Sequence, residues 1–304
     1  MTATRVATSP TSWGVDYADD PTNPPWEAVL DGIAAAGYRW LELGPVGYLP
    51  EDPNVLCEEL DARRLRVVGT FLFEPLHDPT QHDAIRARAE RTCALISATG
   101  GRNLVVIDHL AEERTRHAGN SAAARRLDPA EFAHLRRGIS DVAAVADAHG
   151  VRAVLHPHAG TYIEFRDEVE RVLGAIPQER LGLCLDTGHC AYSGVDPERL
   201  FEDLDERVEM LHLKDVRQQV HEAAVAAGAD FDTAVATGIF CPLGQGSVDF
   251  VALQARLQAR EFTGAATVEQ DRDSSTEGDP VADAQASLSF LRQIGLGEEV
   301  SGLT

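Results

Sequence analysis

Short runs of apolar residues recur along the chain, and each is followed by a stretch with helical periodicity. The runs predict strands near residues 6–9, 38–43, 66–73, 103–108, 151–156, 181–186, 208–213 and 264–269. Runs this apolar are typical of parallel strands, which are buried on both faces. Eight alternations of strand and helix favour a (β/α)8 barrel, with a doubly wound open sheet as the alternative.

Several helix boundaries are also marked in the sequence. An aspartate before a proline can supply an N-cap followed by the first helical residue, and we expect helix starts of this kind at Asp128-Pro129, Asp196-Pro197 and Asp279-Pro280. Asp249 is expected to cap the helix over 250–260 in the same way. Gly37 and Gly150 stand where helices should end, directly before strands.

The chain has 304 residues and contains no Pro/Ser-rich linker or break in composition. We therefore expect one (β/α)8 barrel domain over residues 1–304, because a barrel of this kind needs about 250 residues. The segment from Gln218 to Gly246 lacks a clear apolar period. We expect it to be a long loop with a short helix that lies over the C-terminal mouth of the barrel.

Acidic residues are in large excess, with 49 Asp and Glu against 27 Lys and Arg and a formal net charge of −22. Such a surface repels phosphate backbones and anionic lipids, so we expect neither a nucleic acid nor a membrane as partner. The first residues lack the pattern of a secretion signal, and the five cysteines are scattered without a CxxC pair. This usage is typical of a reducing compartment, and we expect a cytoplasmic protein.

Ionisable side chains gather at the ends of the predicted strands. They are Glu42, Glu74, His77, Asp108, His109, His156, His158, Asp186, His189, His212, Lys214, Asp215, Glu269 and Asp271. A single residue of this kind usually satisfies a loop hydrogen bond. Charges at seven successive strand ends are too costly to bury for stability alone, and the C-terminal ends of barrel strands form active sites. The pattern therefore indicates an active site.

Imidazoles mixed with carboxylates suit a divalent metal ion. The core set is Asp186, His212 and Glu269, with His156 or His158 completing it, because these residues end strands that converge on one rim. Ligands of this type accept Mn²⁺, Co²⁺, Zn²⁺ or Mg²⁺, and the residue types alone do not choose among them.

Three motifs carry a resemblance to a known family: Leu185-Asp-Thr-Gly-His189, His212-Leu-Lys-Asp-Val-Arg217 and Val268-Glu-Gln-Asp271. Together with Thr11-Ser-Trp-Gly14 and His156-Pro-His-Ala-Gly-Thr161, they resemble the xylose-isomerase-like TIM barrels, a superfamily of sugar isomerases, epimerases and dehydratases. Within it the chain is most similar to the inosose (2-keto-myo-inositol) dehydratase group. The resemblance spans nearly the whole chain.

The resemblance implies a role for each matching residue. His156, Asp186, His212 and Glu269 would hold the metal, for which Mn²⁺ or Co²⁺ is implied ahead of Mg²⁺ or Zn²⁺. His189 and Arg217 would hold substrate hydroxyls or the carbonyl. Lys214 is a further candidate catalytic residue near the metal, with a salt bridge to Asp215 as the alternative.

From these roles we expect a metal-dependent lyase that dehydrates a keto-cyclitol, with Glu269 as proton acceptor and His156 as ligand or acid. His156 stands where the epimerases have a metal-bound Glu, and elimination, unlike epimerisation, does not need two such bases. Further candidates for substrate contact are His158, Glu42, Glu74 and Trp13, and either glutamate could also act as a second base.

Three other functions remain as hypotheses. The first is a ketose isomerase or epimerase of the same superfamily. The second is a DNA-repair endonuclease on the same barrel, against which the net charge of −22 argues. The third is a barrel that binds a sugar or has no activity. For the enzyme we expect a small keto-sugar or keto-cyclitol as ligand, and the resemblance allows a homo-oligomer.

Overall fold

Eight parallel strands form a closed barrel in the computed structural model, which describes residues 4–272 and 278–297. The barrel strands are β1 (Arg5–Thr8), β2 (Trp40–Glu42), β3 (Arg66–Glu74), β4 (Asn103–Asp108), β5 (Arg152–Leu155), β6 (Gly182–Asp186), β7 (Val208–Leu213) and β10 (Ala265–Val268). Each strand pairs with the next along the barrel, and β10 closes it against β1. The predicted (β/α)8 barrel is confirmed.

Helices surround the barrel and follow its strands. They are α1 (Trp26–Ala35), α2 (Pro53–Ala62), α3 (His82–Ala98), α4 (Glu112–Thr115), α5 (Pro129–Ala148), α6 (Arg166–Ala175), α7 (Thr187–Tyr192), α8 (Pro197–Asp203), α9 (Gln218–Ala227), α10 (Phe231–Ala236), α11 (Phe250–Ala259) and α12 (Pro280–Gln293). A single 3-10 turn, Pro10–Trp13, follows β1. Among the helices described, none is long and apolar enough to cross a bilayer.

The predicted helix boundaries are confirmed where the sequence marked them. The carboxylates of Asp128, Asp196 and Asp279 each accept backbone N–H groups of the first turn, and each is followed by proline. Asp249 caps α11 through the amide of Ala252. Gly37 and Gly150 follow the ends of α1 and α5 with positive φ, a conformation that glycine adopts without strain.

Strand residues alternate between two apolar layers. One set, including Leu183 and Leu185, packs outward against the helices. The other set fills the barrel interior with small or slender side chains: Ala7, Val68, Val105, Ile107, Val154, Cys184, Met210 and Ala265. Side chains on one face of a strand recur every second residue. The next residues on the interior face toward the C-terminal end of each strand therefore lie at the mouth of the barrel.

The segment from 218 to 246 contains two helices and a short strand. These are α9, α10 and β9 (Phe240–Cys241), and β9 pairs antiparallel with β8 (Asp215–Val216) outside the barrel. Phe231 and Ala234 of α10 are buried in a small apolar cluster with Phe240. This cluster fixes α10 close to the ends of the barrel strands.

Candidate active site

Four side chains from four neighbouring strand ends meet inside the barrel mouth. His156, Asp186, His212 and Glu269 continue the interior positions Val154, Cys184, Met210 and Ala265, and all four are at most 4% exposed. His156 Nε2 lies 3.2 Å from Asp186 Oδ2, and His212 Nδ1 lies 3.0 Å from Glu269 Oε2 and 3.9 Å from Asp186 Oδ2. We call these four residues the central cluster.

The orientation of His212 fits a metal ligand. Its Nε2 lies 2.8 Å from Glu42 Oε1, an arrangement in which Nε2 donates its proton and leaves Nδ1 free. Nδ1 faces Glu269 and Asp186 but is not aligned for a hydrogen bond to any residue that the structure describes. A carboxylate that orients the far side of an imidazole is a recurrent feature of metal sites. The donor set of the central cluster therefore fits a divalent cation.

The electrostatics of His212 point the same way. Burial alone would lower its pKa, but Cys184, Glu269 and Glu42 around it raise the pKa well above the ordinary value. The surrounding carboxylates thus favour positive charge at Nδ1. A bound cation would supply this charge in place of the proton, because metal ligands bind in their deprotonated form.

Lys214 provides a second positive charge beside the central cluster. Its Nζ lies 3.2 Å from Glu269 Oε2, 3.6 Å from Asp186 Oδ2 and 2.8 Å from Asp271 Oδ1. Burial opposes the charged form, yet these three carboxylates raise the pKa of Lys214. In turn, Lys214 and the neighbouring imidazoles lower the pKa of Asp186 and Glu269 against the opposing effect of burial. Both carboxylates are therefore ionised at neutral pH.

The contact of Lys214 with Asp215, which the sequence left as an alternative, does not form. Asp215 instead accepts backbone N–H groups from Val216, Gly244, Gly246 and Val248. Its carboxylate holds the loop after β9, whereas Lys214 points into the barrel.

Two further histidines lie on the other side of Lys214. His189 Nε2 is 3.1 Å from Lys214 Nζ and 3.7 Å from Asp271 Oδ2, and the rings of His158 and His189 are 3.8 Å apart. Burial lowers the pKa of both histidines well below the ordinary value, so both are neutral. The Lys214 ammonium lies between His189 and Asp271, in the place that a second cation would need.

A cavity of about 290 Å³ opens above the central cluster, and we call it the central cavity. Both polar groups and aromatic side chains line it. Its lining is Thr11, Asp16, Tyr17, Phe71, Phe73, Ile107, Leu110, His156, His158, His212, Lys214, Phe231, Asp232, Val235, Glu269, Asp271 and Arg272. This size is at the lower end of the range for small-molecule sites, and the mixture suits a hydroxylated ring with apolar faces.

Some predicted site residues lie just behind the cavity surface. Asp186 and His189 are buried beneath it and act on the lining residues through His156 and Lys214. Glu42 lies below His212, where its Oε1 also accepts the hydroxyl of Thr267 at 2.6 Å. No part of Glu42 lines the central cavity among the residues described.

Three further residues predicted to contact substrate do not line the central cavity: Trp13, Arg217 and Glu74. Trp13 packs in the outer core against α1, where a Cβ on Gly32 would lie 3.0 Å from its Nε1. Arg217 donates through Nη1 to the carbonyls of Gly238 and Phe240 and so stabilises the turn before β9. Glu74 forms a bidentate ion pair with Arg88, in which each carboxylate oxygen accepts one hydrogen bond. The motifs locate these residues near the mouth, but their side chains are occupied by structural contacts.

Asp16 is a lining residue that the sequence did not reveal. It follows the turn after β1, outside any strand end, so neither period nor motif singled it out. Neighbouring protein atoms that displace water, and next the Asp271 carboxylate, raise its pKa to about 7, although its side chain is still accessible from solvent. The sequence feature that could have identified Asp16 is its position in the loop after β1, at the rim where barrel active sites form.

The barrel and the cluster at its mouth define the class: a TIM barrel with strand-end imidazoles and carboxylates whose arrangement fits a divalent cation. The profile of the xylose isomerase-like TIM barrel family matches residues 30–294, and the chain belongs to this family. This confirms the resemblance seen in the sequence.

Relatives and solved structures extend this result. The chain is similar to an inosose dehydratase of Geobacillus kaustophilus, with 28% identity over 275 residues that cover 88% of each protein. A D-allulose 3-epimerase from Methylomonas sp. in complex with D-allulose shares the fold, with a TM-score of 0.70, 16% identity and coverage of 96% of this chain and 98% of that one. The IolI protein with a bound zinc atom does so too, with a TM-score of 0.69, 15% identity and coverage of 95% and 97%.

Proposed function

We propose that this protein is a metal-dependent lyase that dehydrates a keto-cyclitol such as 2-keto-myo-inositol. The observation that carries the proposal is the central cluster of two imidazoles and two carboxylates beneath a cavity the size of one sugar ring. The likeness to an inosose dehydratase over 88% of the chain supports the substrate class.

The central cluster supplies the metal ligands in this proposal. His156, Asp186, His212 and Glu269 would hold the ion, with Glu42 orienting His212. A bound divalent ion stabilises the negative charge that develops on the oxygen of an enolate. Ligands of two nitrogens and two oxygens accept Mn²⁺, Co²⁺, Zn²⁺ or Mg²⁺. The resemblance to the inosose dehydratases favours Mn²⁺ or Co²⁺, with Zn²⁺ and Mg²⁺ as alternatives, and zinc is the ion in the IolI structure.

Residues of the chain carry out two proton transfers, one from the substrate carbon and one to the leaving hydroxyl. Glu269 lines the cavity and is held ionised by His212 and Lys214, so it can accept the proton on the carbon beside the ketone. The C–O bond at the next carbon breaks, and the leaving hydroxyl takes a proton from the protein and departs as water. The remaining enol becomes a second ketone, so the product is a diketone.

The structure favours Asp16 rather than His156 as the donor of that proton. Burial lowers the pKa of His156, which is therefore neutral, and its Nε2 is directed at Asp186 within the cluster. Asp16 lines the same cavity with a pKa of about 7, and a donor works best when its pKa is close to the working pH. His156 is then a ligand, while His158 and Lys214 contact the substrate oxygens.

Replacement of Glu269 by Gln tests the proposal directly. The amide keeps the shape but can neither accept the proton nor carry the charge, so we expect kcat/KM for 2-keto-myo-inositol to fall at least about 100-fold, with the fold intact by circular dichroism. NMR of the product and elemental analysis for bound metal provide the readouts. Glu261→Gln, an exposed change at the end of α11, is the matched control. Near-normal turnover in Glu269→Gln would refute the assignment.

The epimerase alternative requires a second base on the opposite face of the carbon. The two candidates from the sequence are not available, because Glu42 lies below His212 and Glu74 is paired with Arg88. Reaction in deuterated water separates the two activities. Loss of water with a new diketone signal supports the lyase, whereas deuterium at an inverted carbon supports the epimerase.

A further inference from the structure

A second cavity adjoins the central cavity at the mouth of the barrel. It measures about 300 Å³, as large as the central cavity itself, and we call it the outer cavity. Its lining is Asp16, Tyr17, Ala18, Asp19, Pro45, Val46, Glu51, Phe71, Leu72, Phe73, Glu74, Arg88, Arg91 and Thr92. Asp16, Tyr17, Phe71 and Phe73 line both cavities, so these side chains form the boundary that the two share.

The aromatic residues at this junction suit a sugar ring. Tyr17 is 45% exposed although it is large and mostly apolar, and its ring lies 6.4 Å from that of Phe73. Phe73 in turn stacks on His109 at 4.5 Å, which fixes its orientation. An exposed aromatic side chain with a polar tip offers both an apolar face and a hydroxyl to a ligand.

The charges of the outer cavity select against an anion. Four carboxylates line it, from Asp16, Asp19, Glu51 and Glu74, against the two guanidinium groups of Arg88 and Arg91. Arg88 is held by Glu74 through two hydrogen bonds, so this pair carries no net charge. The rest of the described lining has the carboxylates of Asp19 and Glu51 and the partly ionised Asp16 against the one guanidinium of Arg91. A phosphate group would therefore meet net repulsion, whereas hydroxyl groups can both donate to the carboxylates and accept from Arg91.

From this geometry we infer that the outer cavity binds a neutral, hydroxylated substituent of the substrate, such as a second sugar ring. The keto ring would occupy the central cavity and the linked ring the outer cavity, with Tyr17 and Phe73 between them. This inference rests on the proposed function, because it assumes that the keto ring reacts above the central cluster. It narrows the substrate to a glycosylated, unphosphorylated keto-cyclitol or keto-sugar.

Steady-state kinetics with three probes test the inference. They are 2-keto-myo-inositol, a set of its O-galactosyl positional isomers, and its phosphate monoester. We expect at least one galactosyl isomer to show a kcat/KM at least 10-fold higher than the free keto-cyclitol, mainly through KM, and the phosphate to be the poorest substrate. Equal or lower values for every galactosyl isomer would overturn the inference.

A substitution that fills the outer cavity gives a second test, and the same substitution outside the cavity is its control. Val46→Trp places a large side chain in the lining, and Val55→Trp places the same side chain at an exposed position of α2 outside both cavities. We expect Val46→Trp to lower the ratio of kcat/KM for the galactosyl substrate to that for the free substrate at least 10-fold, and Val55→Trp to keep the ratio. An unchanged ratio in Val46→Trp would contradict the inference even if the first experiment succeeded.

Binding measurements separate this inference from the proposed function. Calorimetry with O-galactosyl-myo-inositol and with myo-inositol needs no turnover. Tighter binding of the galactosyl compound, lost in Val46→Trp, supports the outer cavity even if no dehydration is detected, in which case the proposed function alone fails. Equal binding of the two compounds, together with dehydration of free 2-keto-myo-inositol, leaves the proposed function standing and refutes the inference.

Discussion

The position of each cluster residue follows from the two-residue period of its strand. Met210 lies in the barrel interior, so His212 and Lys214 lie above it on the same side, and Thr267 and Glu269 follow Ala265 in the same way. This is why the residues of the central cluster could be predicted from the sequence. Arg217 lies beyond the end of β7, where the period no longer applies, and only the structure shows that its side chain turns to the carbonyls of Gly238 and Phe240.

Asp16 provides the residue-scale test of how the leaving hydroxyl is protonated. Neighbouring protein atoms that displace water, and next the Asp271 carboxylate, raise its pKa to about 7, so the acid form that donates a proton is lost as the pH rises through that value. We expect Asp16→Asn, which has no proton to give, to lower kcat about 100-fold or more and to remove the alkaline decline of activity that Asp16 causes. The measurement is the pH profile of kcat and of kcat/KM.

An exposed aspartate outside the site serves as the control for this variant. Asp61→Asn, at the end of α2, removes the same charge and should keep both the rate and the pH profile. If Asp16→Asn retains the alkaline decline at the same pH, another group donates the proton.

At the scale of elements, helix starts marked by adjacent residues could be predicted from the sequence, whereas the shortest strands could not. The aspartate-proline pairs at Asp128, Asp196 and Asp279 predicted their helix starts, because a cap needs only neighbouring residues. The two-residue strands β8 and β9 have no period that a sequence could show, and their pairing joins positions more than twenty residues apart. Two side chains hold this region instead: the carboxylate of Asp215 binds the loop after β9, and the guanidinium of Arg217 binds the turn before it.

We expect Asp215→Asn to destabilise the protein through the loop after β9. Asp215 Oδ2 accepts Gly244 N at 2.9 Å and Gly246 N at 2.8 Å, and a Cβ on Gly246 would lie 2.3 Å from Oδ1. An amide nitrogen in place of either oxygen would face N–H donors and lose hydrogen bonds to a charged acceptor. The expected loss in the free energy of unfolding is about 2–3 kcal/mol, measured by urea denaturation.

The N-cap at the start of α11 offers a control of the same chemistry in the same region. Asp249 caps through one oxygen to Ala252 N at 2.9 Å, and asparagine caps a helix about as well as aspartate. Asp249→Asn should therefore change the free energy of unfolding by only a few tenths of a kcal/mol. A similar loss in both variants would mean that the charge, and not the four amides around Asp215, matters.

For the whole molecule, the barrel concentrates negative charge at one place in a chain that is already strongly acidic. The formal net charge is −22, and Asp186, Glu269, Glu42 and Asp271 are all buried near the mouth. Lys214 balances part of this charge, and the nearby Cys184, Glu269 and Glu42 raise the pKa of His212 against the effect of burial, which favours a further positive charge there. A cation bound there would also join the ends of β5, β6, β7 and β10, and so would stabilise the closed barrel.

Thermal unfolding with and without metal tests this at the scale of the molecule. An ion present at 100 times its dissociation constant stabilises the folded state by about 2.7 kcal/mol, which corresponds to a rise in Tm of about 5 °C for a domain of this size. We expect Mn²⁺ or Co²⁺ to produce this rise after treatment with EDTA, and sodium chloride at equal ionic strength not to. Because the net charge is large, ions on the surface could also raise Tm, so Glu269→Gln is the decisive comparison. The same rise in the variant would show that the ions act on the surface and not at the central cluster.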